Sequence, residues 1–89
     1  MRISFDVAKH EWNRRDRGFG FDYAALIFDG PTIEWPDLRR DYGEDRFIAL
    51  GEVESNVLVV VYTDRSDTRR IISARLAGAK EKRLWRSGG

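Results

Sequence analysis

The sequence predicts an α+β fold: a mainly antiparallel sheet of about five strands, two N-terminal helices packed on one face, and a short C-terminal helix. Three observations carry that expectation. Val57-Leu58-Val59-Val60-Val61-Tyr62-Thr63 is an unbroken β-branched and aliphatic run. Such a run is apolar on both faces, as a central strand covered on both sides must be. Polar turn-forming stretches separate it from its neighbours, above all Asp64-Arg65-Ser66-Asp67, which reads as a hairpin loop. Helix-starting and helix-stopping residues fall in pairs within the first third: Asp6 with Gly18, and Asp22 with Gly30-Pro31.

Taken in order, Ile3 and Phe5 alternate with polar neighbours and predict a short, half-buried first strand. Asp6 caps a charged helix over Ala8–Asp16, with Ala8 and Trp12 toward the core and Lys9, Asn13 and Asp16 on a second stripe. Asp22 caps a second helix, Tyr23–Asp29, whose Tyr23, Leu26 and Ile27 face the core. Thr32-Ile33-Glu34-Trp35 is a strand stopped by Pro36, which suits an edge. Asp37–Glu44 reads as a loop, Arg46–Gly51 as a strand, and Glu52–Asn56 as the hairpin into the Val57 run. Arg69–Leu76 returns as a strand with basic ends, and Ala79–Arg86 closes the chain as a basic helix. Consecutive hairpins make these last four strands an antiparallel meander, with the first strand placed at an edge. We read residues 1–86 as one domain and 87–89 as a flexible tail.

Eighty-nine residues suffice for one sheet with helices on it, but not for a deep cofactor pocket. Three Trp and five Phe supply bulky core residues, so the chain reads as folded. Cysteine is absent and histidine occurs once, which removes disulfides and thiolate sites and leaves too few ligands for zinc. No cofactor and no metal is expected. There is neither a leader pattern nor an apolar run of membrane-spanning length, so the expected location is the cytoplasm, without a membrane partner.

The formal net charge of +1 hides a strong asymmetry. Residues 65–89 hold eight Lys or Arg against two acids, a net +6, whereas residues 1–64 hold eight against thirteen, a net −5. A basic cluster of that density is a footprint for phosphate, or else a solvated face.

Four segments together give the chain a family likeness. They are Phe5-Asp6 with Lys9 and Asn13, then Gly18, Phe21 and Ala24-Ala25; Asp41-Tyr42-Gly43-Glu44-Asp45-Arg46 through Gly51; Val59-Val60-Val61-Tyr62-Thr63-Asp64-Arg65; and Arg70-Ile71-Ile72-Ser73-Ala74-Arg75 with Lys80-Glu81-Lys82. In this order and spacing they resemble the BrnT toxins of type II toxin–antitoxin systems over nearly the whole length. The resemblance implies a RelE-like fold and a ribonuclease that inhibits translation. It also implies a BrnA-like, DNA-binding antitoxin that silences the toxin and links it indirectly to operator DNA. Two positions depart from the family pattern. Asp16-Arg17-Gly18 stands where Lys-His-Gly is usual, and Trp85 stands where Tyr is common after the basic helix.

Metal-independent RNA cleavage needs an acceptor for the 2′-OH proton, positive charge on the developing phosphorane and a proton for the leaving 5′-oxygen. With Arg plentiful and His scarce, charge stabilisation must dominate. Arg65, Arg70 and Arg75 are candidates to hold the phosphate, because guanidinium stays protonated and its fork matches two phosphate oxygens. Proton transfer falls to Lys9, Glu44 or Tyr62. Strand alternation puts Ser73 and Arg75 on one face and Arg70 on the other, unless a bulge or a sheet end intervenes. Further RNA-binding candidates are Asn13, Arg46, Tyr62, Ser73, Lys80, Lys82 and Arg83, with Trp85 as a stacking platform.

Each candidate also has a plainer reading. Lys9 with Asn13 fits an exposed helix face, Glu44 with Arg46 a local ion pair, and Arg65 a solvated loop residue. The Lys80–Arg83 helix fits side chains lying over the sheet. His10 reads as a surface residue, and Trp12 and Trp35 as core or rim packing. A non-catalytic RNA- or DNA-binding module and a pure interaction subunit of a repressor complex are the alternative functions.

Overall fold

The computed structural model describes residues 1–88. In chain order it runs β1 (Arg2–Phe5), α1 (Val7–Arg17), α2 (Phe21–Ala24) continued by a 3₁₀ turn over Ala25–Asp29, and β2 (Ile33–Pro36). Then come β3 (Phe47–Val53), β4 (Asn56–Arg65), β5 (Thr68–Leu76) and α3 (Ala79–Ser87). The five strands form one sheet in the order β1-β5-β4-β3-β2. From β2 to β5 every pairing is antiparallel, and the edge strand β1 pairs parallel with β5. The α+β class and the strand count are as expected from the sequence. The sheet is nevertheless mixed, because α1 and α2 carry the chain across from β1 at one edge to β2 at the other.

Both hairpin turns are written in the backbone. Glu54 and Ser55, the two residues between β3 and β4, have φ of 50° and 71°. Left-handed φ at both centres makes the primed turn whose twist matches that of the paired strands. Ser66 opens the β4–β5 turn with φ 56°.

Each face of the sheet carries its own apolar cluster. On one, Phe21, Ala24 and Ile27 from the helical layer pack on Ala49, Leu58, Val60, Tyr62, Ile71 and Ala74. On the other, Leu84 and Trp85 of α3 pack on Leu50 and Val59, beside Ile33, Trp35 and Ile48. The continuous apolar run of β4 is accounted for by this double coverage.

The bulge between β4 and β5 decides which basic residues meet. Val61 pairs with Ser73 but Tyr62 pairs with Ile71, so Ile72 is an extra residue in β5. Ile71 and Ala74, three positions apart, are therefore both buried against the helical layer. Arg70, Ser73 and Arg75 face Thr63, Val61 and Val59 in turn, alternate positions of β4. All three thus share the face that carries α3, which strict alternation forbids and a bulge permits.

The N-terminal helices differ from expectation in detail. Asp6 caps α1, its Oδ1 accepting the Lys9 N–H at 3.0 Å, and Gly18 ends it in the left-handed region. Yet Ala8 and Trp12 are exposed, and the one buried residue of α1 is Asn13, whose Nδ2 donates to the Phe19 carbonyl at 2.9 Å. The amide braces the turn into α2, so α1 packs through a polar contact rather than an apolar stripe. The second helix starts at Phe21 with Gly20, not Asp22, at its N-cap, and tightens to 3₁₀ after one turn. Leu26 is consequently turned outward, while Phe21, Ala24 and Ile27 face the core. Gly20 has no side chain to cap with. His10 does so instead, its Nδ1 accepting the Phe21 N–H at 2.9 Å while its ring stacks on Phe5. His10 is therefore an internal brace and not a surface residue. Ser87 ends α3 and Gly88 caps it; Gly89, the last residue of the expected tail, lies outside the described residues.

Gly51 marks where β3 approaches the 3₁₀ turn. A Cβ added there would stand 2.5 Å from the Ile27 Cβ. Both neighbours are interior, so the added methyl cannot swing away. Gly51→Ala is expected to cost about 1–3 kcal/mol, read as a lower denaturant midpoint at unchanged slope. Among the described residues no helix is long and apolar enough to cross a membrane.

Candidate functional site

The face shared by Arg70, Ser73 and Arg75 is only partly covered by α3. Beside the helix lies a groove of about 240 Å³, floored by Trp35, Ile48, Val59 and Val61. Ser73 stands on one side, and two guanidinium groups, those of Arg39 and Arg75, line it with Glu81.

Arg75 is held in a fork. Its Nη1 and Nη2 donate to the two Glu81 oxygens at 2.8 and 2.6 Å. Glu81 is in turn fixed by the Gly78 N–H, which donates to its Oε1 at 2.7 Å as α3 begins. The hydrogen bonds from Arg75 lead the causes that draw the Glu81 carboxyl down to about 2 from an ordinary 4.5. The Arg75 guanidinium is held more firmly protonated by the same contact, while the positive charge of Arg39 works against it.

The pair has a pH signature. A carboxylate with a depressed pKa stabilises the fold fully above its unfolded value, near 4.5 for Glu81, and loses that contribution as pH falls toward about 2. Glu81→Gln is expected to lower stability at neutral pH by about 1–2 kcal/mol and to flatten the acid limb in that window. Denaturant titrations at several pH values measure both effects.

Arg39 is not among the residues that the sequence singles out. Its Nε and Nη2 donate to Asp37 Oδ1 and Oδ2 at 2.7 and 2.8 Å, and its own N–H donates to Oδ1. Asp37 is buried, and the Tyr42 hydroxyl also donates to it. Chiefly the hydrogen bond from the Arg39 side chain holds the Asp37 carboxyl far below the usual carboxylate range, against the cost of burial. The outcome is a guanidinium anchored on a buried carboxylate, on a side chain that is 66% exposed. In the sequence the only signal was Asp37-Leu38-Arg39, an acid two residues before a base directly after the edge strand's proline.

Lys9 reaches the same region from the other side. β1 ends at Phe5, so the later part of β5 has no strand neighbour there, and α1 lies against it. Arg17, which stands at the departing family position, donates from Nη1 to the Ala74 carbonyl at 2.8 Å. It thereby satisfies a β5 backbone group that no strand pairs. Between α1 and β5 is a cleft of about 270 Å³ lined by Lys9, Trp12, Asn13 and Arg17 over Phe21 and Ile72, and bounded by Ser73. Ser73 borders both this cleft and the groove. Among the described residues no carboxylate lies within ion-pair distance of Lys9, Arg70, Lys80, Lys82 or Arg83.

Other candidates are placed elsewhere. Arg65 pairs with Thr68 at the far end of β4, six positions beyond the Val59 that faces Arg75. At roughly 3.3 Å per residue the two stand about 20 Å apart along the strand and do not share a phosphate. Arg65 instead donates to Glu44 at 2.9 Å, and Arg46, stacked over Tyr42, donates to the other Glu44 oxygen at 3.1 Å. Those contacts hold the Glu44 carboxyl below its ordinary value, so it is a committed ion-pair partner and a weak base. Tyr62 points to the helical face, where its hydroxyl bonds to Glu34 and Arg69 lies 4.0 Å above its ring. Burial first, then Glu34, pushes the phenol well above its usual range, so it stays protonated and is a poor proton acceptor. Asn13 is spent on the turn described above. Lys80, Lys82 and Arg83 are exposed on α3. Trp85 is half-buried over the Leu50–Val59 cluster, with its indole N–H donated to Glu52 at 2.9 Å, so it anchors α3 rather than offering a free ring. A further concavity, about 430 Å³ and lined by residues between Pro36 and Phe47, mixes acids and bases and lies over the loop before β3.

No curated protein matches the chain significantly. A family model does, over residues 5–81: the ribonuclease toxin, BrnT, of type II toxin–antitoxin systems. That span includes every residue lining the groove, Arg39, Ser73, Arg75 and Glu81 among them, and also Lys9 of the neighbouring cleft. With most of its length matched in this way, the chain belongs to the BrnT family of ribonuclease toxins.

Proposed function

We propose that residues 1–86 act as one RelE-like endoribonuclease domain that cleaves RNA without a metal and so inhibits translation in the cytoplasm. The observation that carries this reading is the pair of guanidinium groups, Arg39 and Arg75, each fixed by two hydrogen bonds to a carboxylate and both lining one groove. Donors oriented beforehand stabilise charge that develops in the transition state without reorganising at that moment. In this reading positive charge on the phosphorane is supplied by arginine; among the described residues no group of three or more His, Cys, Asp or Glu is placed to hold a metal ion.

The step balances without a co-reactant. The RNA 2′-oxygen forms a bond to phosphorus, the bond from phosphorus to the 5′-oxygen breaks, and the 2′-OH proton passes to water. Lys9, which has no carboxylate partner among the described residues, gives a proton to the leaving 5′-oxygen across Ser73. Arg70, on the same face, extends the positive track. A BrnA-like antitoxin with a DNA-binding part covers the groove and brings the complex to operator DNA. The acidic first two-thirds of the chain suits a basic segment of that partner.

Product analysis tests the reading. Antitoxin-free protein incubated with RNA is expected to leave 2′,3′-cyclic phosphate ends. Ends bearing a 5′-phosphate, or binding with no cleavage at all, would instead favour a different mechanism or a non-catalytic binding module.

A further inference from the structure

The cleft between α1 and β5 adjoins the groove at Ser73, which lines both, but differs from it in chemistry. Trp12 forms its wall, Phe21 and Ile72 its floor, and Lys9, Arg17 and Ser73 its polar rim. Trp12 is 46% exposed, an unusual state for an indole in a small domain. It is also supported. The Arg17 guanidinium lies 5.0 Å from its ring centroid, and Arg17 is itself fixed by the Ala74 carbonyl and by Asn13. The ring is therefore backed by a cation that cannot easily leave, while the side chain stays open to solvent.

We infer that this cleft is a nucleobase pocket, in which the base adjoining the scissile phosphate stacks on Trp12 while its phosphate lies in the Arg39–Arg75 groove. The inference rests on the ribonuclease reading and adds the subsite that reading lacks. Three features of the cleft converge on a nucleotide. A flat aromatic wall suits the face of any base, since every base has one. Lys9 and Arg17, neither within ion-pair distance of an acid among the described residues, give the rim the sign that a nucleotide backbone requires. Ser73, shared by cleft and groove, sets the two subsites side by side, as a base and its own phosphate must be. Trp85, the sequence's more obvious stacking residue, is already committed to Glu52 and the sheet.

Binding of a short, non-cleavable RNA, with a deoxyribose at every position where cleavage is possible, separates the two subsites. A strand of equal length made only of abasic residues is the control. Trp12→Ala is expected to weaken binding of the base-bearing strand by about tenfold or more and to leave the abasic strand unchanged. Trp12→Phe keeps a ring and is expected to retain most of the affinity, with a melting temperature confirming that both variants are folded. Arg75→Ala, by contrast, weakens both strands. If Trp12→Ala binds the base-bearing strand as tightly as the native chain while Arg75→Ala does not, the pocket is refuted and the phosphate groove stands. If neither substitution weakens binding, the pocket and the ribonuclease reading fall together.

Discussion

Arg75→Ala is expected to slow RNA cleavage by about 10²–10³-fold and to relieve growth inhibition, while leaving the protein folded. The size of the effect follows from orientation. Arg75 lines the groove from β5, and its terminal nitrogens are fixed by both Glu81 oxygens and the Leu76 carbonyl, so the guanidinium is oriented before RNA arrives. Alanine removes that charge from a site where it costs nothing to reorganise. Lysine at the same position keeps the charge but loses the fork, so Arg75→Lys should fall between the two. Arg65→Ala, at the far end of β4, should change the rate little. Single-turnover cleavage by the three variants, with thermal melts alongside, measures this.

The second large effect belongs to α3. Lys80, Lys82 and Arg83 are exposed and without carboxylate partners among the described residues, so they hold no part of the fold together. Reversing all three to Glu is expected to abolish measurable RNA binding at physiological salt. Each phosphate neutralised contributes about 0.7 to the slope of log K against log salt for a single strand. Neutralising the three residues to Gln should therefore lower that slope by about 2 units, and reversal should go further. Thermal stability should stay nearly constant, because α3 is fastened by Leu84, Trp85 and Glu81 on its other side. Filter binding over a salt series reads the slope directly.

Much of this architecture was legible in the residues. The β4 run, the two turns and the caps at Asp6 and Gly18 are local signals, and each appears in the structure. What local signals cannot carry is pairing. The bulge at Ile72 is defined by which residues of β4 face β5, and it alone returns Arg70 to the face of Arg75. Arg39 escaped notice for a related reason: its anchor, Asp37, reads as one more polar loop residue until its burial is seen. Conversely, Tyr62 and Glu44 carry the right functional groups for proton transfer. Burial beside Glu34 makes the first a poor proton acceptor, and ion pairing to Arg65 and Arg46 makes the second a weak base. His10 and Asn13 looked like surface residues because a polar brace inside a helical corner has no apolar periodicity to reveal it.

In the proposed mechanism guanidinium charge, not a metal ion, assists attack by the RNA's own 2′-OH. Cleavage of one RNA by antitoxin-free protein, measured with and without EDTA and again with a deoxyribose at the scissile position, tests it directly. Full activity in EDTA and none on the deoxy substrate is the expected result. Activity lost in EDTA and kept on the deoxy substrate would contradict it.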